Sequence, residues 1–451
     1  MDSTICAVST ALGNGAISII RCSGAEAIKI VNSVFLGKNL EQVPSHTIHY
    51  GFITYQNEKV DEVLVSIMRS PKTFTTEDIV EINSHGGIAT TNKILEVLLA
   101  SGCILAEAGE FTKRAFLNGR IDLLEAEAVG DLIVSETESS RKLAINQITG
   151  SLSNKINNIR QKLISLQANI EVNIDYPEYD DVLVITEDIL KPTLINIIEE
   201  LQHLLIDSKN GKIIKNGIDV AIIGQPNVGK SSILNDLLEE NKAIVTNIPG
   251  TTRDIVEGKI FLNGIILNIV DTAGLRLTND QVEKIGVEKS KDISKTADLI
   301  IYVIDNTTEK ISVDLQNLQN LGDKPVIVFI NKDDIKTKLD INKLKDYQVI
   351  FGNTINEFGL EKLKTKIIEI FNLEKIETKD FSYLSSARQV SLVSKALMVI
   401  EESLNNLNMG ISIDLISIDL QNCYELLGEI IGETYKEDLL DELFSKFCLG
   451  K

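Results

Sequence analysis

The chain has 451 residues, more than one hydrophobic core usually serves, so its length predicts two or three domains. Hydrophobic residues make up 43% and charged residues 24% of the sequence, which excludes a largely disordered chain. The sequence has 45 Lys and Arg against 65 Asp and Glu, and the net charge of −20 argues against a generic nucleic-acid coat protein.

The N-terminus and the cysteines indicate where the protein works. The acidic start, Met1–Thr4, lacks the basic region of a signal peptide, and no run approaches the roughly 18 apolar residues of a membrane span. The five cysteines are scattered without a CxxC pair, which disfavours a disulfide framework or a structural zinc site. We therefore expect a cytoplasmic protein.

Residues 1–120 alternate short β-type segments with turn signals. The β-type segments are 5–10, 16–24, 46–55, 61–70 and 78–87. A helix is predicted over 88–101, ended by Gly102. Together these elements predict a compact α+β domain.

From about residue 121 the periodicity becomes helical. Apolar residues at alternating spacings of four and three form one helix face in each of two blocks. They are Leu152, Ile156, Ile159, Leu163, Leu166 and Ile170 in the first block, and Val390, Val393, Leu397, Ile400 and Leu404 in the second. Both faces need cover, so we predict that the blocks, 121–214 and 373–451, pack on each other as one discontinuous helical domain.

The intervening residues, 215–372, have the pattern of an α/β domain. Near-continuous apolar β-type segments predict a buried parallel sheet. These segments are 217–224, 266–271, 299–305 and 325–331. The sequence therefore predicts an α/β domain inserted into the helical domain.

A phosphate loop is predicted at Gly224–Ser231, because GQPNVGKS fits GxxxxGK[ST] and lies between a β-type segment and a helix. In such a loop, backbone N–H groups and the helix N-terminus hold phosphate oxygens. Lys230 is expected to reach the β- and γ-phosphates, and the Ser231 hydroxyl to bind magnesium.

Two further motifs follow in the order of a GTPase. Asp271–Gly274 (DTAG) ends a β-type segment and predicts an Asp271 carboxylate near magnesium. Asn331–Asp334 (NKDD) fits NKxD, in which Asp334 would accept hydrogen bonds from the guanine N1–H and amine, with Asp333 as the runner-up. This order of motifs favours GTP over ATP.

Gly250–Asp254 (GTTRD) lies between these motifs, at the place of a nucleotide-sensing switch, and Thr252 is its expected magnesium ligand. A polar surface loop is the alternative interpretation. Leu275 stands directly after DTAG, where many GTPases have a water-orienting Gln. Since a leucine cannot polarise water, either hydrolysis is slow or another group supplies this function.

Several groups could compensate for Leu275. Arg253, Arg276 and Glu283 are candidates, as is a bound cation. Asn227 and the backbone around 246–248 could give a monovalent cation neutral oxygen ligands. The charge of that cation would lie where an arginine finger otherwise acts.

Together these motifs resemble the MnmE/TrmE family of tRNA modification GTPases. The resemblance rests on GQPNVGKSS, TNIPGTTRD, DTAGLR, NKDD and the terminal CLGK, and it covers nearly the whole chain. The N-terminal STICAVST, AISIIRCSG, EDIVEINSHGG and FTKRAFLNGRIDLLEAEAV are similar to the folate-binding domain of that family. The resemblance implies a tetrahydrofolate-binding and dimerisation domain over 1–120 and a Ras-like GTPase domain over 215–372.

The resemblance also implies an activity. With a FAD-dependent MnmG/GidA partner, the family adds a carboxymethylaminomethyl-type group to C5 of the wobble uridine of certain tRNAs. The implied cofactors are GTP, Mg²⁺, K⁺ and 5-formyl-tetrahydrofolate or a related tetrahydrofolate. The resemblance also implies a homodimer and a hetero-oligomer with the MnmG/GidA partner. It implies no association with a membrane. Because the chain is acidic, we expect the complex to provide most tRNA binding, and the stretch 425–442 not to contact phosphate.

Site residues are implied by motif position. Arg21, Glu81, Arg120 and Lys451 match folate-contacting positions. Asn227, Thr246, Ile248 and Thr251 match potassium ligands, and Ser231 and Thr252 match magnesium ligands. Glu283 matches the water-orienting glutamate, with Lys230 and Thr252 as further catalytic residues. The nucleotide contacts would be Asn227, Val228, Gly229, Lys230, Ser231, Ser232, Thr246, Asn247, Ile248, Pro249, Gly250, Thr251, Thr252, Asp271, Thr272, Ala273, Gly274, Asn331, Lys332 and Asp334.

One motif departs from the family. The SAK/SAR-type guanine loop is missing, and 351–363 occupies its place, so any backbone contact to guanine would come from Asn353 and Thr354. Arg120 stands where the family commonly has Lys, which preserves the charge.

Some alternatives stay open at the level of residues. Arg21 and Glu81 could form a strand-end salt bridge rather than bind folate. His85 is either a catalytic base or a hydrogen-bonded turn histidine, and Cys448 is either a nucleophile or a packed or exposed thiol.

Two rival functions remain alongside the modification GTPase. One is a GTPase switch acting in ribosome assembly, which the slow-hydrolysis feature Leu275 motivates. The other is a folate-dependent methyl-group transferase with a regulatory GTPase, which rests on the N-terminal segments alone.

Overall fold

The computed structural model shows two compact units. The structure describes residues 3–175, 187–240, 256–270, 296–336, 338–353, 358–373, 382–435, 437–447 and 449–450. One unit comprises Met1–Val134, Ala144–Leu205 and Ala387–Lys451, and the other comprises Ser135–Leu143 and Ile206–Ser386. Across the described residues, no helix is both long enough and apolar enough to cross a membrane.

Strands and helices are numbered in chain order. The strands are β1 (Ile5–Val8), β2 (Ile17–Ser23), β3 (Phe35–Leu36), β4 (Thr47–Tyr55), β5 (Glu58–Met68), β6 (Ile79–His85), β7 (Ile104–Leu105), β8 (Ile218–Gly224), β9 (Val256–Leu262), β10 (Ile265–Val270), β11 (Leu299–Asp305), β12 (Val326–Asn331) and β13 (Gln348–Phe351). The helices are α1 (Ala27–Val34), α2 (Ile88–Ala100), α3 (Glu110–Leu117), α4 (Leu123–Val134), α5 (Glu138–Ile148), α6 (Ser151–Asp175), α7 (Glu187–Asn216), α8 (Lys230–Glu240), α9 (Ser312–Gln319), α10 (Phe358–Phe371), α11 (Ala387–Asn408), α12 (Ile413–Ile431) and α13 (Glu437–Phe444).

In the first unit the strands form a sheet in the order β3-β4-β5-β6-β2-β1-β7. Its neighbouring strands are antiparallel, except that β1 and β7 are parallel. Alternating side chains of these strands pack with α1 and α2 in a core that includes Ile20, Val65 and Ile82. The five predicted β-type segments and the helix over 88–101 are confirmed, whereas α1, α3 and the two-residue strands were not predicted.

The two helical blocks pack on each other as predicted, through α6 and α12. The Gln167 side-chain amide donates to Gln421 Oε1 at 2.9 Å, and Arg160 pairs with Glu433 just beyond α12. All six apolar residues predicted for the buried face of α6 are buried.

On α11 the predicted face is partly wrong. Val393 and Ile400 are buried, but Val390, Leu397 and Leu404 are only half-buried. The buried face instead consists of Gln389, Leu392, Val393, Ala396, Ile400, Ser403 and Leu407. Two of these residues are polar, so a pattern of apolar residues alone points to a neighbouring face.

The second unit contains a sheet in the order β13-β12-β11-β8-β10-β9. The strands are parallel as predicted, except that β9 is antiparallel to β10. Parallel pairing places the carboxyl ends of β8, β11 and β12 at one edge. In this register Gly224 lies opposite Val303, and Asp305 lies opposite Asn331.

Candidate functional site

The predicted phosphate loop connects β8 to α8. Gly224, Asn227 and Gly229 have φ angles of 154°, 63° and 97°, which glycine and asparagine adopt more easily than other residues. The Lys230 ammonium donates to the Gly224 and Gln225 carbonyl oxygens at 3.0 and 2.8 Å. Burial lowers the pKa of Lys230, and an anionic phosphate would favour its charged form again.

The guanine motif is tied directly to this loop. Asn331 Nδ2 donates to the Val228 carbonyl oxygen at 2.8 Å. A β-carbon added at Gly229 would lie 2.1 Å from Asn331 Nδ2, so only glycine fits there without displacing the amide. The structure thus brings Val228, Gly229, Lys230 and Asn331 together as the sequence predicted.

Lys332 is held by a residue that sequence reasoning missed. Its backbone has a φ angle of 63°, and its ammonium pairs with Asp305 at the end of β11. The other Asp305 oxygen accepts from the Thr307 N–H and hydroxyl at 2.8 and 2.7 Å. Burial raises the pKa of Asp305, but the hydrogen bonds from Lys332 and Thr307 outweigh this and lower it. A carboxylate ending a buried parallel strand was the signal that could have identified Asp305.

The two candidate base-reading carboxylates, Asp333 and Asp334, are both exposed. The Asp333 N–H donates to the Gly352 carbonyl oxygen at 3.1 Å, which fixes this turn beside β13. Ser231 and Ser232 are exposed in the first turn of α8, where free N–H groups favour anions. The roles of Asp334, Ser231 and Ser232 stay predictions.

Many predicted site residues lie outside the described residues. They are Thr246, Asn247, Ile248, Pro249, Gly250, Thr251, Thr252, Asp271, Thr272, Ala273, Gly274, Glu283, Cys448 and Lys451, together with Arg253, Leu275, Arg276 and Thr354.

In the first unit, Arg21 and Glu81 lie directly opposite each other on β2 and β6. Arg21 Nε and Nη2 both lie close to Glu81 Oε1, at 2.9 and 2.7 Å, and these side chains are 19% and 23% exposed. The Arg21 guanidinium also lies 5.7 Å from the centre of the Phe111 ring. The salt bridge considered from the sequence is therefore formed.

Arg120, the third described folate candidate, is stacked on a second aromatic ring. Its guanidinium lies 4.9 Å from the centre of the Phe74 ring and donates to the Phe74 carbonyl oxygen at 2.8 Å. Phe74 packs against the buried cluster that contains Ile5, Ala7 and Phe111. The two arginines therefore contact two rings of one cluster.

The C-terminal segment reaches the same part of the first unit. Leu449 forms a β-bridge with Ala108, and the Ser9 hydroxyl donates to the Gly450 carbonyl oxygen at 3.1 Å. Ala7, two residues before Ser9, lies opposite Arg21 on the neighbouring strand. Gly450 therefore contacts the end of β1, the strand that neighbours the one carrying Arg21.

A buried arginine supports the Phe74 loop. Arg114 is 1% exposed and donates to Glu77 at 3.1 Å, to Glu110 at 2.8 Å and to the Ser3 carbonyl oxygen at 2.9 Å. The Ser23 hydroxyl donates to the second Glu77 oxygen at 2.7 Å. Sequence reasoning missed this network, because a charged residue in a short helix normally faces solvent.

His85 is oriented by Asp61. Its Nδ1 lies 2.7 Å from Asp61 Oδ1, and its backbone N–H donates to Asp61 Oδ2 at 2.8 Å. The hydrogen bond with Asp61 and the charge of that carboxylate raise the pKa of His85. His85 is thus hydrogen-bonded at the end of β6, and both interpretations of its role stay predictions.

Comparison with known proteins identifies the family of the chain. The family model described as GTP-binding protein TrmE N-terminus matches residues 4–120, and the MnmE helical domain matches residues 123–448. The tRNA modification GTPase MnmE of Lactococcus lactis subsp. cremoris (strain MG1363) is 52% identical over 448 residues, covering 99% of this chain and 98% of that protein. The chain belongs to the MnmE/TrmE family. The MnmE of Bacillus cytotoxicus is 48% identical over 454 residues, covering 99% of both proteins.

Family membership confirms the predicted fold class. MnmE proteins combine the TrmE N-terminal domain and the helical domain that match here. The inserted parallel sheet with its phosphate loop is the P-loop GTPase fold. The G domain of the T. maritima FeoB iron transporter is 32% identical and covers 34% of this chain and 97% of that domain, with a TM-score of 0.27.

Proposed function

We propose that this MnmE-family protein is a cytoplasmic GTP hydrolase that takes part in modifying the wobble uridine of certain tRNAs. With a FAD-dependent MnmG/GidA partner, it would help add a carboxymethylaminomethyl-type group to C5 of that base. The hydrogen bond from Asn331 to the Val228 carbonyl carries the nucleotide part, because it joins a guanine motif to a phosphate loop. Relatives that match 99% of the chain and are named tRNA modification GTPases support the remainder.

In this proposal the phosphate loop binds and orients GTP. Lys230 and the backbone amides of Gly229 and Ser231 hold the phosphates, and Asp334 recognises guanine. Ser231 and Thr252, with Asp271 nearby, suit Mg²⁺, which prefers oxygen ligands. The exposed Ser231 hydroxyl in the first turn of α8 fits this role.

Hydrolysis without a glutamine after DTAG is assigned to other groups. Glu283 would orient the attacking water. Asn227, Thr246, Ile248 and Thr251 offer neutral oxygens that suit K⁺, whose charge would stabilise the transition state. The positive φ angle of Asn227 and its exposure at the loop surface are compatible with such a contact.

The N-terminal site is proposed to bind 5-formyl-tetrahydrofolate or a related tetrahydrofolate. Arg21 and Arg120 would bind its carboxylates, Glu81 would accept from its pterin edge, and Lys451 would complete the site. The half-buried Phe74 ring beside Arg120 provides apolar surface that an aromatic ligand needs.

We further propose a homodimer formed through the N-terminal domain. Ile48, Tyr50 and Leu64 are 65%, 61% and 48% exposed, and Tyr50 lies opposite Leu64 on neighbouring strands. An apolar patch on a sheet face is more typical of an interface than of a free surface. We also propose the domain limits: 1–120 for the N-terminal domain, 215–372 for the GTPase domain, and 121–214 together with 373–451 for the helical domain.

The GTPase mechanism is tested by measuring hydrolysis in KCl and in NaCl. Hydrolysis should be faster in KCl, and Glu283→Ala should reduce the rate roughly 100-fold, the usual scale for loss of a general base. Glu309→Ala serves as a matched control, because Glu309 is exposed and pairs with Lys338. Equal rates in both salts and an unchanged rate for Glu283→Ala would refute the mechanism.

The folate site is tested separately by titration with 5-formyl-tetrahydrofolate. Arg21→Ala should abolish binding, whereas Arg141→Ala, at an exposed pair with Glu138, should not. If Arg21→Ala lost folate binding but kept full tRNA modification, the folate-dependent methyl-transferase reading would gain support over this proposal.

A further inference from the structure

We propose that Asp305 is a positioning residue for recognition of the guanine base, acting through Lys332. Asp305 ends β11 and lies outside the nucleotide motifs predicted from the sequence. Its carboxylate pairs with the Lys332 ammonium, and Lys332 directly precedes the base-reading candidates Asp333 and Asp334. This inference rests on the proposed GTPase function and adds a residue to the guanine end of that site.

Residues 332–335 form a tight turn. The Ile335 N–H donates to the Lys332 carbonyl oxygen at 3.1 Å. Asp333 and Asp334 are therefore the two central residues of the turn, and both are exposed. Lys332 has a φ angle of 63°, a left-handed backbone conformation that lysine seldom adopts. The direction in which Asp334 leaves the strand thus depends on how Lys332 is held.

The Asp305 carboxylate holds Lys332 from a fixed position. The Asp305 side chain is 14% exposed, against 38% for Lys332. One carboxylate oxygen accepts from the Thr307 N–H and hydroxyl at 2.8 and 2.7 Å, and the other pairs with Lys332. Because this ion pair is partly buried, solvent screens it less than an exposed pair. It therefore limits the movement of the Lys332 side chain.

Asn306, the residue after β11, fixes the far end of the same turn. Its Nδ2 donates to the Ile335 carbonyl oxygen at 3.1 Å, and its N–H donates to the Asn331 carbonyl oxygen at 3.0 Å. The Asn306 side chain is buried. Together with the Asp305 ion pair, these contacts hold both ends of the turn.

The experiment compares the affinities of the full-length protein for GDP and for IDP. IDP has the same phosphates but lacks the exocyclic amine of guanine, one of the two groups that Asp334 would bind. Wild type should prefer GDP by about 10-fold or more, the scale of one hydrogen bond to a carboxylate. The ratio of the two affinities therefore reports the position of the turn, whereas a general loss of folded protein would lower both affinities together.

Asp305→Asn should lower the preference for GDP about three- to tenfold. Since Thr307 donates to one oxygen, the new side chain would direct its NH2 group towards Lys332, and an amide NH2 cannot accept a hydrogen bond. IDP affinity should fall less than GDP affinity, because the phosphate loop is untouched. An unchanged preference in folded Asp305→Asn would overturn the role of Asp305.

Lys332→Met removes the same ion pair from its more exposed side, so the test stays decisive if Asp305→Asn destabilises the domain. It should lower the preference to a similar extent. In the double variant the preference should be no lower than in either single variant, because all three lack the same contact. A wild-type preference in Lys332→Met, or additive losses in the double variant, would overturn the proposal.

Glu309→Gln is the matched control, because it removes an exposed ion pair with Lys338 in the same unit. Both affinities should stay within twofold of wild type, and an equal fall in preference would refute a specific role for Asp305. Wild type that bound GDP and IDP equally would contradict base reading by Asp334, and with it this inference. Wild type that bound neither nucleotide would instead overturn the proposed GTPase function on which the inference rests.

Discussion

Asn331 Nδ2 donates a hydrogen bond to the Val228 carbonyl oxygen at 2.8 Å, so the strand that carries the guanine motif is fixed to the phosphate loop. The turn proposed to read the base and the loop proposed to bind the phosphates are therefore positioned together. The contact depends on the missing side chain of Gly229, since a β-carbon there would lie 2.1 Å from the Asn331 amide.

Gly229→Ala tests this relationship. The added methyl group would displace the Asn331 amide and strain a backbone with a φ angle of 97°. We expect GDP to bind roughly 100-fold more weakly, corresponding to about 3 kcal/mol of combined overpacking and strain. Titration with GDP measures the effect.

Gly322→Ala is the control for backbone strain alone. Gly322 also has a positive φ angle, 71°, but nothing lies within 4 Å of an added β-carbon. This variant should lose about 1 kcal/mol of stability and keep its GDP affinity. If both variants bound GDP equally well, the contact between Gly229 and Asn331 would not matter for the site.

Arg114→Met tests the buried network of the N-terminal domain. The change leaves the half-buried carboxylates of Glu77 and Glu110 without the cation that pairs with them. We therefore expect a loss of about 3–5 kcal/mol in the free energy of unfolding. Arg141→Met, at an exposed pair with Glu138, should cost less than about 1 kcal/mol. Denaturant unfolding compares the two, and similar small losses would show that the buried network contributes little.

His85 gives a prediction for pH. Because Asp61 raises the pKa of His85 above its usual 6.5, the pair stabilises the folded state fully below that value. The stabilisation is lost as pH rises through the folded-state pKa. NMR titration of the His85 ring should show this raised pKa, and Asp61→Asn should lower it. Identical titration curves in both proteins would contradict the assigned hydrogen bond.

Much of the architecture follows from local sequence patterns. Five strands of the first sheet, four strands of the second, the buried face of α6 and the phosphate loop were predictable, because period and turn chemistry act over short distances. The buried face of α11 was misplaced, since Gln389 and Ser403 lie in the core and only their neighbours in space show why. Tertiary context decides such positions.

In the candidate sites, too, local sequence patterns predicted some residues and missed those that depend on tertiary context. Motif order predicted that the phosphate loop and the NKDD motif serve one nucleotide, and both lie at the ends of strands of one sheet. The burial of Arg114 could not be predicted, because two of its partners, Glu77 and Ser3, are far from it in the sequence. A single charged residue in a helix does not reveal which surface covers it.

The central claim is that this protein serves wobble-uridine modification, and mass spectrometry of tRNA nucleosides tests it most directly. tRNA would be compared from a strain lacking the protein and from the same strain carrying wild type or Lys230→Ala. We predict that the C5 modification disappears on deletion, returns with wild type, and does not return with Lys230→Ala. Normal modification in the deletion strain would contradict the account and favour a GTPase switch acting in ribosome assembly.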